Sequence, residues 1–208
     1  KIKIGQSNLG VTLKNGVLVT NLKKMALYKG TGRAKLTANG AGRIPRIAVD
    51  FDLANFQANP FLTDAADFKR LEGAANADLK VTTQGRSQRE LVGALNGAGK
   101  VTFLNGAIRG INIAAMLRNV ASAFMDSSAK KAQKTDFAEL GGTYVIKRGI
   151  LTNSDLSLKS PLLRLSGKGT VDLPKQTVNY RLEPKIVAST KGQGGSGSAS
   201  GISVPGIV

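Results

Sequence analysis

The chain contains no cysteine and no histidine. Without thiols there is no disulfide, no thiolate nucleophile and no cysteine-held zinc or iron–sulfur centre. Without imidazole there is no Ser-His-Asp triad, no imidazole base and no histidine metal ligand. Tryptophan is absent too and aromatics make up only 5% of residues, which argues against a nucleic-acid partner read by base stacking. No run reaches the roughly 18 apolar residues of a membrane-spanning helix. Catalysis would have to rest on paired carboxylates, an activated lysine or a bound cofactor. The expectation is a protein that is not an enzyme, with no cofactor and no metal.

What is present is charge of one sign and a two-residue rhythm. Thirty Lys and Arg against 13 Asp and Glu give a net charge of +17 over 208 residues, and the halves split at residue 104 carry +9 and +8. The excess is therefore spread along the chain. It suits anionic headgroups, lipopolysaccharide or another polyanion, and equally a strand protein that wears Lys and Arg on its wet face. The chain opens on Lys1 and closes on the strand-like run ISVPGIV, so a fragment of a longer protein, forming a single domain over 1–208, is expected.

Alternation of apolar and polar residues dominates. Ile2 and Ile4 begin it; Leu9, Val11 and Leu13 lead to Asn15-Gly16, the φ > 0 pair of a two-residue hairpin. Val17 and Val19 follow, then Met25 and Leu27, a GTG turn at 30–32, and Leu36. Ile47, Val49, Phe51 and Leu53 alternate with Ala48, Asp50 and Asp52, and Val101 and Phe103 run toward a second expected turn at Asn105-Gly106. In the last third, turns are expected at 147–149 (KRG), Ser160-Pro161 and Pro174-Lys175-Gln176, between strands carrying Tyr144 and Ile146, Leu156 and Leu158, Leu163 and Leu165, Val171 and Leu173, and Val178, Tyr180 and Leu182. Each strand has one apolar face, in the up-and-down order of an antiparallel meander. A β-sandwich of two facing sheets shows the same alternation.

Helices are expected at two places. Ser87 with Glu90 forms a capping box for a short helix ending at Asn96-Gly97. Residues 111–125 form an amphipathic helix with Ile113, Met116, Leu117, Val120 and Phe124 on one face, either a core helix or a gate at one end of the sheet. A polar linker at 126–134 follows. The segment 59–73 reads as a loop with a helical turn, and 189–201 as a flexible Gly/Ser-rich loop.

Three motifs tempt and fail on context. GQGGSG at 192–197 lacks the following helix whose amides hold a phosphate. Ser127 and Ser128 stand three before Lys130 and Lys131, but in polar surroundings that keep a lysine charged. Asp50 and Asp52 fit the solvent face of a strand, and Asp64 and Asp67 a helix start, better than a metal site.

Residues 100–118, KVTFLNGAIRGINIAAMLR, and 137–185, FAELGGTYVIKRGILTNSDLSLKSPLLRLSGKGTVDLPKQTVNYRLEPK, resemble the C-terminal region of AsmA-family proteins. The shared pattern is a strand ending in NGAIRGI, a helix, a linker, F-x-x-L-x-G-T, and an S-P-L-L-R-L-S-G-x-G-T-V-D-L hairpin with a Tyr-containing return strand. PFL at 60–62, RLEG at 70–73 and QGRS at 84–87 extend the likeness, so that it covers about 50–208; residues 1–49 share only the β-pattern. Asn112 stands where most relatives carry Asp, so no charged role transfers to it.

The resemblance implies a mainly β fold, an antiparallel meander sheet strongly curved into an open apolar groove, taco-like, with one or two short amphipathic helices. It implies a periplasmic domain, tethered to the inner membrane by an N-terminal segment absent from this chain, that binds and transfers lipid and aids phospholipid transport and outer-membrane assembly. The family is similar to the bridge-like lipid-transfer proteins. Partners would be phospholipid acyl chains, anionic headgroups or lipopolysaccharide, and an outer-membrane or periplasmic protein. Leu156, Leu158, Leu163, Leu165, Val171, Leu173, Val178, Tyr180, Leu182, Val101 and Phe103 would line the groove, with the helix at 111–125 as its gate. The competing expectation is a closed β-sandwich scaffold that docks a protein or polyanion without carrying lipid. Leu165→Asp separates the two on this reading: it unfolds a closed core, and it leaves an open groove folded but impaired.

Overall fold

The computed structural model describes residues 1–113, 134–161 and 163–187. Ten strands, β1 (Asn8–Lys14), β2 (Val17–Leu27), β3 (Gly30–Asn39), β4 (Arg46–Gln57), β5 (Ala74–Gln84), β6 (Asn96–Arg109), β7 (Lys134–Lys147), β8 (Ile150–Lys159), β9 (Leu163–Asp172) and β10 (Thr177–Ile186), form one antiparallel sheet in sequence order. Among the described residues two short helices interrupt them, α1 (Ala58–Ala66) after β4 and α2 (Gln88–Gly93) after β5. The fold is mainly β with few helices, as expected. Two facing sheets are not what the alternation builds: every strand pairs with its sequence neighbour, and the sheet stays open at β1 and β10.

The tight turns explain why neighbours pair. Asn15 (φ 50°) and Gly16 (φ 75°) join β1 to β2 in two residues, and Arg148 (φ 50°) and Gly149 (φ 76°) join β7 to β8. So short a connection leaves the next strand nowhere to go but alongside. The turn 173–176 closes the β9–β10 hairpin, where Asp172 pairs with Thr177.

Several expected boundaries move. The turn between β2 and β3 is Tyr28-Lys29 (φ 45° and 67°), two residues before GTG. Gly30 belongs to the strand instead: a Cβ there would lie 2.5 Å from both Ala54 O and Phe56 N. Asn105-Gly106 is no turn, because β6 continues to Arg109. Asn105 (φ 48°) is a left-handed residue inside the strand, and the Cβ of any larger residue at 106 would meet the Glu72 carbonyl and the Phe137 ring. Ile2 and Ile4 precede β1, although Gly5 donates to Ala26 O (2.7 Å). The short helix ends at Gly93, and Asn96-Gly97 opens β6.

The start of α2 is as expected: Ser87 Oγ accepts from Glu90 N (3.3 Å), and Glu90 Oε2 accepts from Arg86 N (2.8 Å). In 59–73 the helical portion is α1, and Pro60 falls in its first turn, where a missing N–H costs nothing. Asp64 and Asp67 sit at the other end from the one expected. Asp67 is the left-handed C-cap (φ 52°), and Asp64 Oδ2 accepts from the Tyr28 hydroxyl (2.7 Å). Of the amphipathic helix expected at 111–125, only residues 111–113 are described, and of its apolar face only Ile113; Met116, Leu117, Val120 and Phe124 lie outside the described residues, as do most of the 126–134 linker and all of 189–201. Lys134 itself opens β7.

Among the described residues the core gathers on one face toward the α1 end: Met25, Leu27, Leu53, Phe56, Ala75, Phe103, Phe137, Leu158, Leu163 and Leu165 are buried there. α1 is held over it by an aromatic stack in which Phe61 meets Phe56 edge-on (4.9 Å) and Tyr28 likewise (5.7 Å). Register shifts in the β2–β3, β4–β5, β7–β8 and β8–β9 pairings, with Lys24 (φ 51°) and Asn55 (φ 54°) in left-handed conformations, mark bulges that add right-handed twist.

Candidate functional site

The register sorts the side chains into rows that cross all ten strands. One row runs Val11, Thr20, Leu36, Val49, Val81, Gly97, Ile146, Leu151, Val171, Val178, each residue paired with the next. The row beside it, on the opposite face, runs Gly10, Asn21, Lys35, Asp50, Lys80, Ala98, Val145, Thr152, Thr170, Asn179. No charged residue enters the first row. Nine strand spacings of about 4.8 Å carry it roughly 43 Å across the sheet.

The face graded by these rows is deeply covered at one end and open at both edges. Phe56 is 2% exposed, Leu158 1% and Leu163 0%, whereas Leu9 (60%), Val11 (58%) and Leu13 (73%) on β1 and Val178 (68%) and Leu182 (44%) on β10 stand in solvent. Glycines flatten the middle of the face and rings lie over them: a Cβ on Gly99 would meet Tyr144 Oη at 2.6 Å, and one on Gly169 would meet the Tyr180 ring at 2.6 Å. Burial against these strands raises the ionisation of both tyrosines above its ordinary value, with the charges of Asp78 and Asp155 respectively adding to the shift.

One polar network is set into this face. Asn153, 8% exposed, donates from Nδ2 to Thr143 O (2.6 Å) and Asp155 Oδ1 (2.8 Å), and its Oδ1 accepts from Leu156 N (3.2 Å) and from the Tyr180 hydroxyl. Asp155 in turn accepts from Thr143 N and Thr143 Oγ1, both at 2.8 Å. These two bonds hold its carboxyl below the usual aspartate value. The network joins β7, β8 and β10 where the β7–β8 and β8–β9 registers slip, so it serves as the pin of that double bulge.

The opposite face carries the ions. Arg33 pairs with Asp52 (3.1 Å) and Lys80 with Asp50 (3.5 Å), which places both aspartates on the wet face as the alternation implied. Among the described residues no three His, Cys, Asp or Glu side chains converge as metal ligands, and no helix is long and apolar enough to cross a membrane.

Of the residues singled out from the sequence, Leu156, Leu158, Leu163, Leu165, Val171, Val178, Tyr180, Leu182, Val101 and Phe103 fall by register on the one apolar face. Leu173 does not: it lies beyond β9, in the turn, with its N–H on Gly149 O (3.0 Å). Leu165 is 7% exposed in the covered core, so a carboxylate there destabilises the fold under any functional reading and does not discriminate between readings. Ile113 is half-buried against the core, its N–H on Thr135 Oγ1 (3.0 Å). The matching residues of the N-terminal half, from Val11 and Leu36 to Val81, were not singled out, although the same alternation marks them.

Fold and face together define a one-sheet β-meander protein with a continuous apolar surface, open at its edges and lacking a deep enclosed chemical site among the described residues. The sequence profile of the AsmA family matches residues 1–156, and the chain belongs to the AsmA family. That match takes in residues 1–49, which the shared motifs did not reach, and stops before the 160–185 hairpin. No curated protein and no solved structure matches the chain.

Proposed function

We propose that the apolar face binds acyl chains and that the chain acts, without catalysis, as a periplasmic lipid-binding and lipid-transfer domain, tethered to the inner membrane and aiding phospholipid transport and outer-membrane assembly. In this reading the sheet curls about its apolar face into an open groove. AsmA-family membership is consistent with lipid transport and envelope biogenesis. The observation that carries the reading is the uncharged row from Val11 to Val178, which reaches both sheet edges while its terminal residues stay 58% and 68% exposed. A closed scaffold has no use for such edges.

The energetics suit the task. A 16-carbon chain in water forfeits on the order of 13 kcal/mol at about 0.8 kcal/mol per CH₂, and a surface of Val, Leu and Ile offsets this without directional bonds. Aliphatic rows offer an acyl chain no point of arrest, and the charged opposite face keeps the sheet in solution.

Native mass spectrometry of the purified chain, with organic extraction of whatever is released, tests the proposal. Bound phospholipid or fatty acid, lost in Val178→Glu and Leu182→Glu variants that keep the wild-type circular dichroism, supports it. A clean apo mass with no uptake from labelled vesicles sinks it and favours a scaffold that docks a protein or polyanion.

A further inference from the structure

Five of the chain's arginines sit at the end of the sheet opposite α1: Arg43, Arg86, Arg89 and Arg148 in the connections that follow β3, β5 and β7, and Arg46 as the first residue of β4. All five are exposed, and none of them takes part in an ion pair among the described residues. The one carboxylate in these connections, Glu90, is engaged by the Arg86 backbone N–H.

The connections are tied to one another sideways. Gly40 N donates to Gly16 O (2.9 Å), Gly85 N to Pro45 O (3.1 Å), Gly149 N to Leu95 O (2.9 Å) and Leu173 N to Gly149 O (3.0 Å). Side chains add to this. Arg86 Nε donates to Arg43 O (3.0 Å), and Asn96 Oδ1 accepts from Arg148 N (3.0 Å). Separate turns are thereby fixed into one ridge, whose backbone needs no ordering before its cationic side chains meet a partner. Depressions of ≈ 420 Å³ and ≈ 710 Å³ open beside Arg43, Arg46 and Arg148, and no carboxylate lines either of them.

The loop between β3 and β4 adds a second, independent feature. Its tip is Arg43-Ile44-Pro45-Arg46, tied down at the Arg43 and Pro45 carbonyls, and Ile44 projects from it 49% exposed. An aliphatic residue held out between two guanidinium groups matches a bilayer surface, where phosphates lie above the first methylenes. A soluble polyanion or nucleic acid has no place for it. Guanidinium also pairs with phosphate oxygens two at a time, which a lysine cannot do.

We propose that this arginine rim docks the chain on the surface of a membrane containing anionic phospholipid, with Ile44 entering the headgroup layer. The inference deepens the lipid-binding reading and rests on it in one respect, that the docked membrane is the one that supplies or receives the lipid on the apolar face.

The test is flotation of the full chain with vesicles of phosphatidylcholine, with and without a minority of phosphatidylglycerol. The quadruple variant Arg43→Glu, Arg46→Glu, Arg89→Glu, Arg148→Glu is compared with a charge-matched one, Lys3→Glu, Lys100→Glu, Lys168→Glu, Lys185→Glu. Arg86 is left intact because it holds the loop. Docking through the rim lowers affinity for anionic vesicles by more than about tenfold in the first variant and by less than about threefold in the second. Ile44→Ser weakens binding with the charge unchanged. Equal losses in the two quadruple variants would mean that net charge alone attracts the protein and would overturn the proposal. So would equal binding to neutral vesicles, or release of the protein by inorganic phosphate at constant ionic strength. Lipid content, read separately by native mass spectrometry, keeps the two readings apart: a lipid-free chain that still binds vesicles through the rim retains the docking and removes the acyl-binding reading.

Discussion

At Asp155 a single neighbour, Thr143, supplies both a backbone N–H and a hydroxyl to the ionised carboxylate, and the charge is thereby favoured in the folded state. The folded-state pKa lies below the ordinary value of 3.8, so the stabilisation is fully present above that value and is lost as pH falls through the lower, folded one. Asp155→Asn keeps the shape and removes the charge. The urea midpoint of the wild type should exceed that of the variant near neutral pH, and the gap should close as the acid range below 3.8 is entered. A gap that persists unchanged to the lowest pH would show that the amide fails through geometry and not through charge. Glycine supplies a second test at this scale. Gly30→Ala forces a methyl against the β4 backbone at 2.5 Å, and overpacking of that kind costs about 1–3 kcal/mol, whereas Gly93 has nothing within 4 Å and its alanine variant should be neutral or slightly stabilising. Chemical denaturation of the pair reads both.

Within the strands, positive φ recurs at Lys24, Asn55 and Asn105, and at each position the chain bends without ending. Asn105→Gly should therefore be tolerated, and Asn105→Val should lower stability by roughly 1–2 kcal/mol, because a β-branched side chain resists the left-handed region. If the two variants melt together, the conformation at 105 is not what the native state requires. The same position shows what a local reading can and cannot see. Asn-Gly signals a left-handed backbone at both Asn15 and Gly16 and at Asn105, though not at Gly106, and a turn and a bulge both accept such a residue. What decides between them is distant: Glu72 N donates to Ala107 O and Arg109 N to Arg70 O, so β6 still has a partner beyond Asn105 and runs on. GTG at 30–32 misleads for a related reason, since Gly30 and Gly32 are small for the sake of Phe56 and Leu53 on β4, not for a turn. Strand identity, the capping box at Ser87 and the hairpin turns at 148–149 and 174–176 were legible because each is decided by neighbours in sequence. The side chains of the apolar face were legible for the same reason, and Leu173 was misplaced because alternation does not say where pairing stops.

Over the whole molecule, alternation leaves one question open, whether the apolar faces of ten strands turn toward each other or form one surface, and the order of pairing answers it with a single sheet. A single sheet buries its apolar side only where something covers it, and here α1 and its flanking loop cover one end while Leu13 at 73% and Val178 at 68% mark uncovered edges. Exposed aliphatic area of this kind is a standing cost in water and a gain once an acyl chain lies on it. Lipid that binds the folded chain and not the unfolded one must then raise its stability, by about 2.7 kcal/mol when free ligand reaches a hundred times its dissociation constant. For a domain of this size each kcal/mol moves the melting temperature by roughly 2–4 °C, so saturating monomeric lysophospholipid should raise it by roughly 5–11 °C. Val178→Glu and Leu182→Glu should begin near the wild-type melting temperature, since both side chains are exposed, and should lose most of the lipid-induced rise. Were the rise retained in full, the acyl chain would be held somewhere other than the β10 edge. Were it absent from the wild type, the uncovered face would be waiting for a protein and not for lipid.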